Sequence, residues 1–153
     1  MAKSFTSALI GIAIGDGLIP SVDEPMTTYY PDWKGSERET MTLRDVLQMS
    51  SGLDWVEDYD PAAIFESDII QLVLGEEDQL QYASARPAKV QPGSAWNYSS
   101  GDTMLLSGVL EQATDMPTDE YAQQEIFDPI GIDQAEWWRC PRAHAHLLLP
   151  RHD

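Results

Sequence analysis

Apolar side chains recur along the chain mostly at helical spacing. Phe5, Ala8, Leu9, Ile12 and Ala13 stand at i, i+3, i+4, i+7 and i+8, which predicts a core-facing helix stopped by Gly15 and Gly17. Lys3 falls in its first turn. Thr42 with Asp45 three residues on makes a capping pattern that opens a helix with Leu43, Val46 and Leu47 facing inward, and Ser50-Ser51-Gly52 ends it. Asp60-Pro61 offers a cap followed by proline at the first helical position; Ile69, Ile70, Leu72, Val73 and Leu74 follow, closed by Gly75, as one broken helix or two short ones. Leu105, Leu106, Val109, Leu110 and Ala113 form another stripe, with Tyr98 just ahead of it. A last helix opens at Pro117-Thr118, carries Tyr121, Ala122, Glu125 and Ile126, and stops near Asp128-Pro129-Ile130-Gly131.

Residues 18–40 hold no sustained period and read as an irregular connection that packs Tyr29, Tyr30 and Trp33. Arg86-Pro87 through Pro92-Gly93 is a loop by its breakers, and no alternating pair of strands is convincing. A chain of 153 residues suffices for one domain with a real core. Its 26 acidic and 9 basic residues give a formal net charge of -17, which repels phosphate backbones and anionic lipid, so nucleic acid is not an expected partner. The apolar run from Ala8 to Ile14 falls far short of the ~20 residues of a membrane helix, so no membrane segment is expected. A signal-peptide reading of that run fails at Asp16, where small residues should mark a cleavage site. Cys140 is the single cysteine, which excludes an intrachain disulfide.

Two residues invite chemistry. Lys3, at the start of a helix with a buried face, can lose proton affinity by desolvation and act as a base, although a first-turn lysine is ordinarily a solvated surface residue. Tyr98, at a loop-helix junction, can relay protons, although a core tyrosine with a bonded hydroxyl is equally ordinary. Met1-Ala-Lys-Ser-Phe-Thr-Ser resembles the stretch that follows the nucleophile in Ser-x-x-Lys hydrolases, the superfamily of serine β-lactamases, D-alanyl-D-alanine carboxypeptidases and related esterases. Thr42-Leu-Arg-Asp-Val-Leu-Gln-Met-Ser-Ser-Gly-Leu53 resembles the helix of that family that ends in a Ser-Gly-Leu turn. Pro92-Gly-Ser-Ala-Trp-Asn-Tyr-Ser-Ser-Gly-Asp102 looks like its tyrosine-containing second motif, and Glu125-Ile-Phe-Asp-Pro-Ile-Gly131 continues the match. Four blocks in the right order make a specific signal, most similar to 6-aminohexanoate-dimer hydrolase and the class C β-lactamase-like esterases.

The resemblance implies an α+β fold of the β-lactamase/transpeptidase type, of which residues 1–138 would form mainly the helical subdomain. It implies an acyl-enzyme mechanism on a small-molecule amide or ester, with no metal and no cofactor. Lys3 would be the general base, Tyr98 its proton partner, and Ser100, standing where many members have Asn, would contact substrate or the lysine. The family's serine lies three residues before its lysine, one helical turn away on the same face. Here that position precedes Met1, and neither Ser4 nor Ser7 has a lysine at i+3. The family's Thr-Gly strand motif is also missing. The expectation is therefore a piece of a hydrolase, inert by itself; the competing expectation is a non-catalytic acidic helical interaction module or a degenerate relative. An extracytoplasmic and a cytoplasmic parent both stay open.

Residues 139–153 read differently, with three Arg, all three His and one acid, and their composition fits a shifted reading frame. Cys140, His144, His146 and His152 there match none of the common structural zinc spacings. Glu76-Glu77-Asp78 reads as a solvated face, and Trp137-Trp138 as packing. Helices without a covering sheet leave apolar surface in water, which predicts a dye-binding state.

Overall fold

The computed structural model describes residues 2–62, 64–74, 78–133 and 135. Helix α1 (Ala2–Gly15) forms where the first apolar stripe predicted it and buries Thr6, Leu9, Ile10 and Ala13. The Ala13 carbonyl accepts from Leu18 N and Ile19 N, at 2.9 and 3.2 Å, and this turns the chain so that Ile19 enters the core. The connection that follows is irregular as expected, with two 3-10 turns, Met26–Thr28 and Pro31–Trp33, that bury Met26 and Trp33. Tyr30 stacks on Trp33 with centroids 4.8 Å apart and donates its hydroxyl to the Leu105 carbonyl at 2.8 Å, tying this connection to the centre of the molecule.

Helix α2 (Leu43–Leu47) carries the predicted capping box: Thr42 Oγ1 accepts from Asp45 N at 3.3 Å, and Asp45 Oδ2 accepts from Thr42 N at 2.9 Å. Its end differs from expectation, because Met49 itself adopts a positive φ of 55° ahead of the Ser-Ser-Gly turn. Gly52, at φ 78°, lies against the Val90 carbonyl so closely that a Cβ could not fit, and its own carbonyl accepts from Lys89 N and Val90 N.

The Asp60-Pro61 start is corrected. Asp60 Oδ1 closes a local turn by accepting from Ala62 N at 2.9 Å, a 3-10 turn covers Ile64–Glu66, and helix α3 (Asp68–Leu74) begins only afterwards. Asp68 decides this, since its buried carboxylate is claimed by tertiary partners: Val56 N at 2.7 Å, the Tyr82 hydroxyl at 2.6 Å, and the Arg86 guanidinium. Helix α4 (Gln79–Ser84) was not expected. Asp78 caps it by accepting from Gln81 N at 2.9 Å, so this member of the acidic cluster has a structural job; Gly75, Glu76 and Glu77 lie outside the described residues.

Helix α5 (Ser100–Thr114) is the centre of the fold, packed by α1, α2, α4 and α6 (Thr118–Ala122). The expected stripe understates it: every residue from Gly101 to Leu110 is buried, as in a helix enclosed on all sides. Each fully buried leucine, such as Leu105 or Leu110, contributes about 1.5–3 kcal/mol relative to exposure. The enclosure also buries Asp102, Thr103 and Ser107, which periodicity alone would have put on a polar face. Helix α6 runs into a wide π-type turn over Gln123–Phe127. Among the described residues, extended pairing is limited to two isolated bridges, Pro25 with Thr42 and Leu53 with Ala88, so they form a helical layer.

Candidate active site

The first turn of α1 and the N-terminus of α5 meet, and this brings together Lys3 and the run Tyr98-Ser99-Ser100 from 95 residues away. The approach to α5 is held by Asn97, whose N donates to the Met49 carbonyl and whose Nδ2 donates to the Trp55 carbonyl, both at 2.8 Å. Ser99 then caps α5 by accepting from Asp102 N at 2.9 Å. Lys3 Nζ donates to Ser100 Oγ at 2.8 Å, to the Ser99 carbonyl at 3.3 Å and to Thr103 Oγ1 at 3.4 Å. The Tyr98 ring covers the amine with its face, 4.6 Å from centroid to Nζ. All three residues singled out from the sequence thus share one site.

Glu57 completes the cluster, and sequence reasoning missed it. It follows Trp55 on the loop leading from α2, and its carboxylate gathers four donors: Trp55 Nε1 at 3.0 Å, the Tyr59 hydroxyl at 2.6 Å, Ser100 N at 2.6 Å and Ser100 Oγ at 2.9 Å. Ser100 is therefore a bridge, accepting from the Lys3 amine and donating to Glu57. The signal that could have found Glu57 is the run Trp55-Val-Glu-Asp-Tyr59, where an acid stands between aromatic residues in a loop. Thr103 and Asp102 were missed because they sit one turn into a helix whose polar residues looked solvated.

Electrostatics at this cluster are poised. Burial lowers the proton affinity of Lys3, while Glu57 and Asp102 pull it back up; the balance leaves the amine below the usual lysine value. Burial pushes the Glu57 carboxyl upward, but the bonds from Tyr59, Trp55 and Ser100 N and the nearby Lys3 charge outweigh it and hold it below the ordinary range. Burial raises Asp102 to about 7, against the lowering pull of Ser51, Ser99 and Lys3. The arrangement can hold a proton on an amine in a half-buried pocket and hand it along hydroxyls. Among the described residues no group of three or more His, Cys, Asp or Glu is placed to hold a metal, and no helix is long and apolar enough to cross a membrane. Cys140, His144, His146, His152, Trp137 and Trp138 lie outside the described residues.

A family model described as Beta-lactamase matches residues 1–147. The chain belongs to the beta-lactamase family. A curated relative named "Putative D-alanyl-D-alanine carboxypeptidase" from Escherichia coli (strain K12) is 26% identical over 113 residues, which cover 72% of this chain and 26% of the relative. The chain thus spans about a quarter of the length of the curated relatives it matches. Among solved structures, a D-stereospecific amidohydrolase from Streptomyces sp. superposes with a TM-score of 0.68 at 22% identity, over 94% of this chain and 46% of that one. A D-amino acid amidase from Ochrobactrum anthropi SV3, complexed with L-phenylalanine amide, gives a TM-score of 0.67 at 21% identity, over 94% and 37%. These likenesses establish the β-lactamase/transpeptidase-like fold, of which the described residues form a helical part.

Proposed function

We propose that this chain carries the lysine and tyrosine arms of a serine hydrolase site that opens a small-molecule amide or ester through an acyl-enzyme. Within the family, the Tyr-Ser-Ser-Gly-Asp form of its second motif favours a relative of 6-aminohexanoate-dimer hydrolase and class C-like esterases. The observation that carries the reading is the Lys3 amine, half-buried, lowered in proton affinity, and held 2.8 Å from Ser100 Oγ under the Tyr98 ring. A lysine in such a setting takes a proton from a hydroxyl more readily than a solvated one.

In this scheme the neutral Lys3 amine accepts the proton of a serine hydroxyl one helical turn earlier as that oxygen bonds to the substrate carbonyl carbon. The tetrahedral oxyanion collapses, the carbon-nitrogen or carbon-oxygen bond breaks, and the leaving group takes a proton relayed by way of Tyr98. Water then attacks the acyl ester by the reverse proton path, which regenerates the serine. Ser100 and Glu57 keep the lysine aligned. The scheme requires a serine at the position three before Lys3.

The test compares the 153-residue chain with a chain extended upstream to place serine three residues before Lys3. A fluorophosphonate or penicillin probe labels the extended chain at that serine and loses the label in Lys3→Ala. Hydrolysis of a nitrophenyl ester by the 153-residue chain above its Lys3→Ala control overturns the assignment of the nucleophile. An extended, folded chain that takes no label favours the non-catalytic helical module instead.

A further inference from the structure

Asp102 is 1% exposed in the first turn of α5, and the steps assigned to Lys3 and Tyr98 make no use of it. Its Oδ1 accepts from Ser51 Oγ at 2.7 Å and from Ser99 Oγ at 3.1 Å. Its Oδ2 is buried and receives no side-chain hydrogen bond, and the Ser51 backbone amide also draws on the carboxylate. Capping accounts for the Ser99 contact alone, because Ser99 already receives Asp102 N; a second buried carboxylate oxygen without a side-chain donor is unfavourable and has no role in a cap. Ser99 joins the two groups, since its carbonyl accepts from Lys3 Nζ at 3.3 Å and its hydroxyl donates to Asp102 Oδ1, and the Asp102 and Lys3 charges act on one another.

We propose that Asp102 is a positioning residue that sets the charge on the Lys3 amine: as a carboxylate it holds Lys3 as the ammonium, and as the acid it loosens that proton. The inference rests on the reading of Lys3 as the base of the site. Two carboxylates act on Lys3, and they differ. Glu57 is saturated by four donors and stays ionised, a constant counter-charge. Asp102 changes charge near neutrality, because burial holds its proton up to about 7. Once it is protonated, Glu57 alone opposes the desolvation that already discourages charge on Lys3.

Of the charged groups on the other elements packed around α5, Asp45 of α2 is bonded to Thr42, and Asp119 and Glu120 stand on α6. Arg44 of α2 pairs with Asp23, Arg86 beyond α4 is committed to Asp68 and Tyr82, and α6 approaches the far half of α5, where Thr118 Oγ1 donates to the Ser107 carbonyl. The cation whose charge acts on Asp102 is Lys3 of α1, and the Ser51 and Ser99 hydroxyls bond its carboxylate.

The experiment is a pH titration of the full chain labelled at the lysine ε-carbon, read by NMR without substrate. The three lysines, Lys3, Lys34 and Lys89, give one probe and two internal controls. Asp102→Asn lowers the Lys3 midpoint by about one pH unit or more and leaves Lys34 and Lys89 in place. A folded Asp102→Asn chain with an unmoved Lys3 midpoint overturns the proposal. Should that variant fail to fold, the wild-type chain decides: the Lys3 signal shows a separate inflection near neutral pH as Asp102 ionises, and a single step at the amine's own midpoint overturns the proposal. Because no substrate is present, failure here leaves the acylation test above untouched, and failure of acylation leaves this titration untouched.

Discussion

Adding one methyl group at Gly101 should unseat the loop that carries Glu57. A Cβ built at Gly101 stands 2.7 Å from Trp55 Cε3, 2.8 Å from Cζ3 and 3.1 Å from Cδ2. Ordinary carbon contacts lie at about 3.5–4.0 Å, so the ring must retreat by roughly 0.8 Å. It has little room: its Nε1 is bonded to Glu57 at 3.0 Å, its edge meets Tyr82 with centroids 6.1 Å apart, and its carbonyl is held by Asn97. Overpacking of this kind costs about 1–3 kcal/mol, and replacing a helical glycine by alanine returns up to about 1 kcal/mol. Gly101→Ala should therefore lose about 1–2 kcal/mol, or roughly 2–8 °C in Tm for a chain of this size. Gly11 is the control, because a Cβ there meets nothing within 4 Å; Gly11→Ala should gain about 0.5–1 kcal/mol. Urea unfolding followed by far-UV circular dichroism measures both. A Gly101→Ala chain as stable as wild type would refute the claim that Trp55 is locked.

Other expectations follow from single contacts. Asp68→Ala leaves the Arg86 guanidinium without its buried partner and strips Val56 N and Tyr82 of an acceptor; a loss of about 3 kcal/mol in urea unfolding is expected, and a change under 1 kcal/mol would argue against a buried network. Thr42→Ala removes the α2 cap and should cost about 1 kcal/mol by the same measurement. Between about pH 4 and pH 7 the unfolded chain releases the Asp102 proton while the folded chain keeps it, so stability falls as pH rises through that window, by an upper bound on the order of 4 kcal/mol. Asp102→Asn should flatten that slope, which stability measured at pH 5 and pH 8 would show. Exposed Tyr59, Phe65, Leu74 and Trp96 predict enhanced anilinonaphthalene sulfonate fluorescence; a chain that leaves the dye dark contradicts an uncovered apolar face.

What could be read from the sequence was local. Thr42 and Asp45 mark α2 because the cap is made between residues three apart, and the stripe from Phe5 to Ala13 marks α1 because its period matches a helical turn. Lys3, Tyr98 and Ser100 were found by motif, and the packing of α1 on α5 does bring them together. The start of α3 was misread at Asp60-Pro61, since a proline and an acid satisfy the rule for a helix start equally well when they close a local turn. Helix α4 escaped notice because six residues with three apolar positions, Leu80, Tyr82 and Ala83, carry too little period to register.

The remaining features were decided by tertiary structure, and for a common reason. Burial is a property of what surrounds a residue, and no window of neighbours along the chain contains it. Asp102, Thr103 and Ser107 look like the wet side of a helix until four other elements enclose it. Glu57 looks like any loop acid until Trp55, Tyr59 and Ser100 point their donors at it. The sequence by itself determined the helical character and singled out the lysine and tyrosine as candidates; only the fold set two unlike carboxylates to act on that lysine, one saturated and exposed in part, one buried with an oxygen that lacks a side-chain donor, because desolvation and charge act through space.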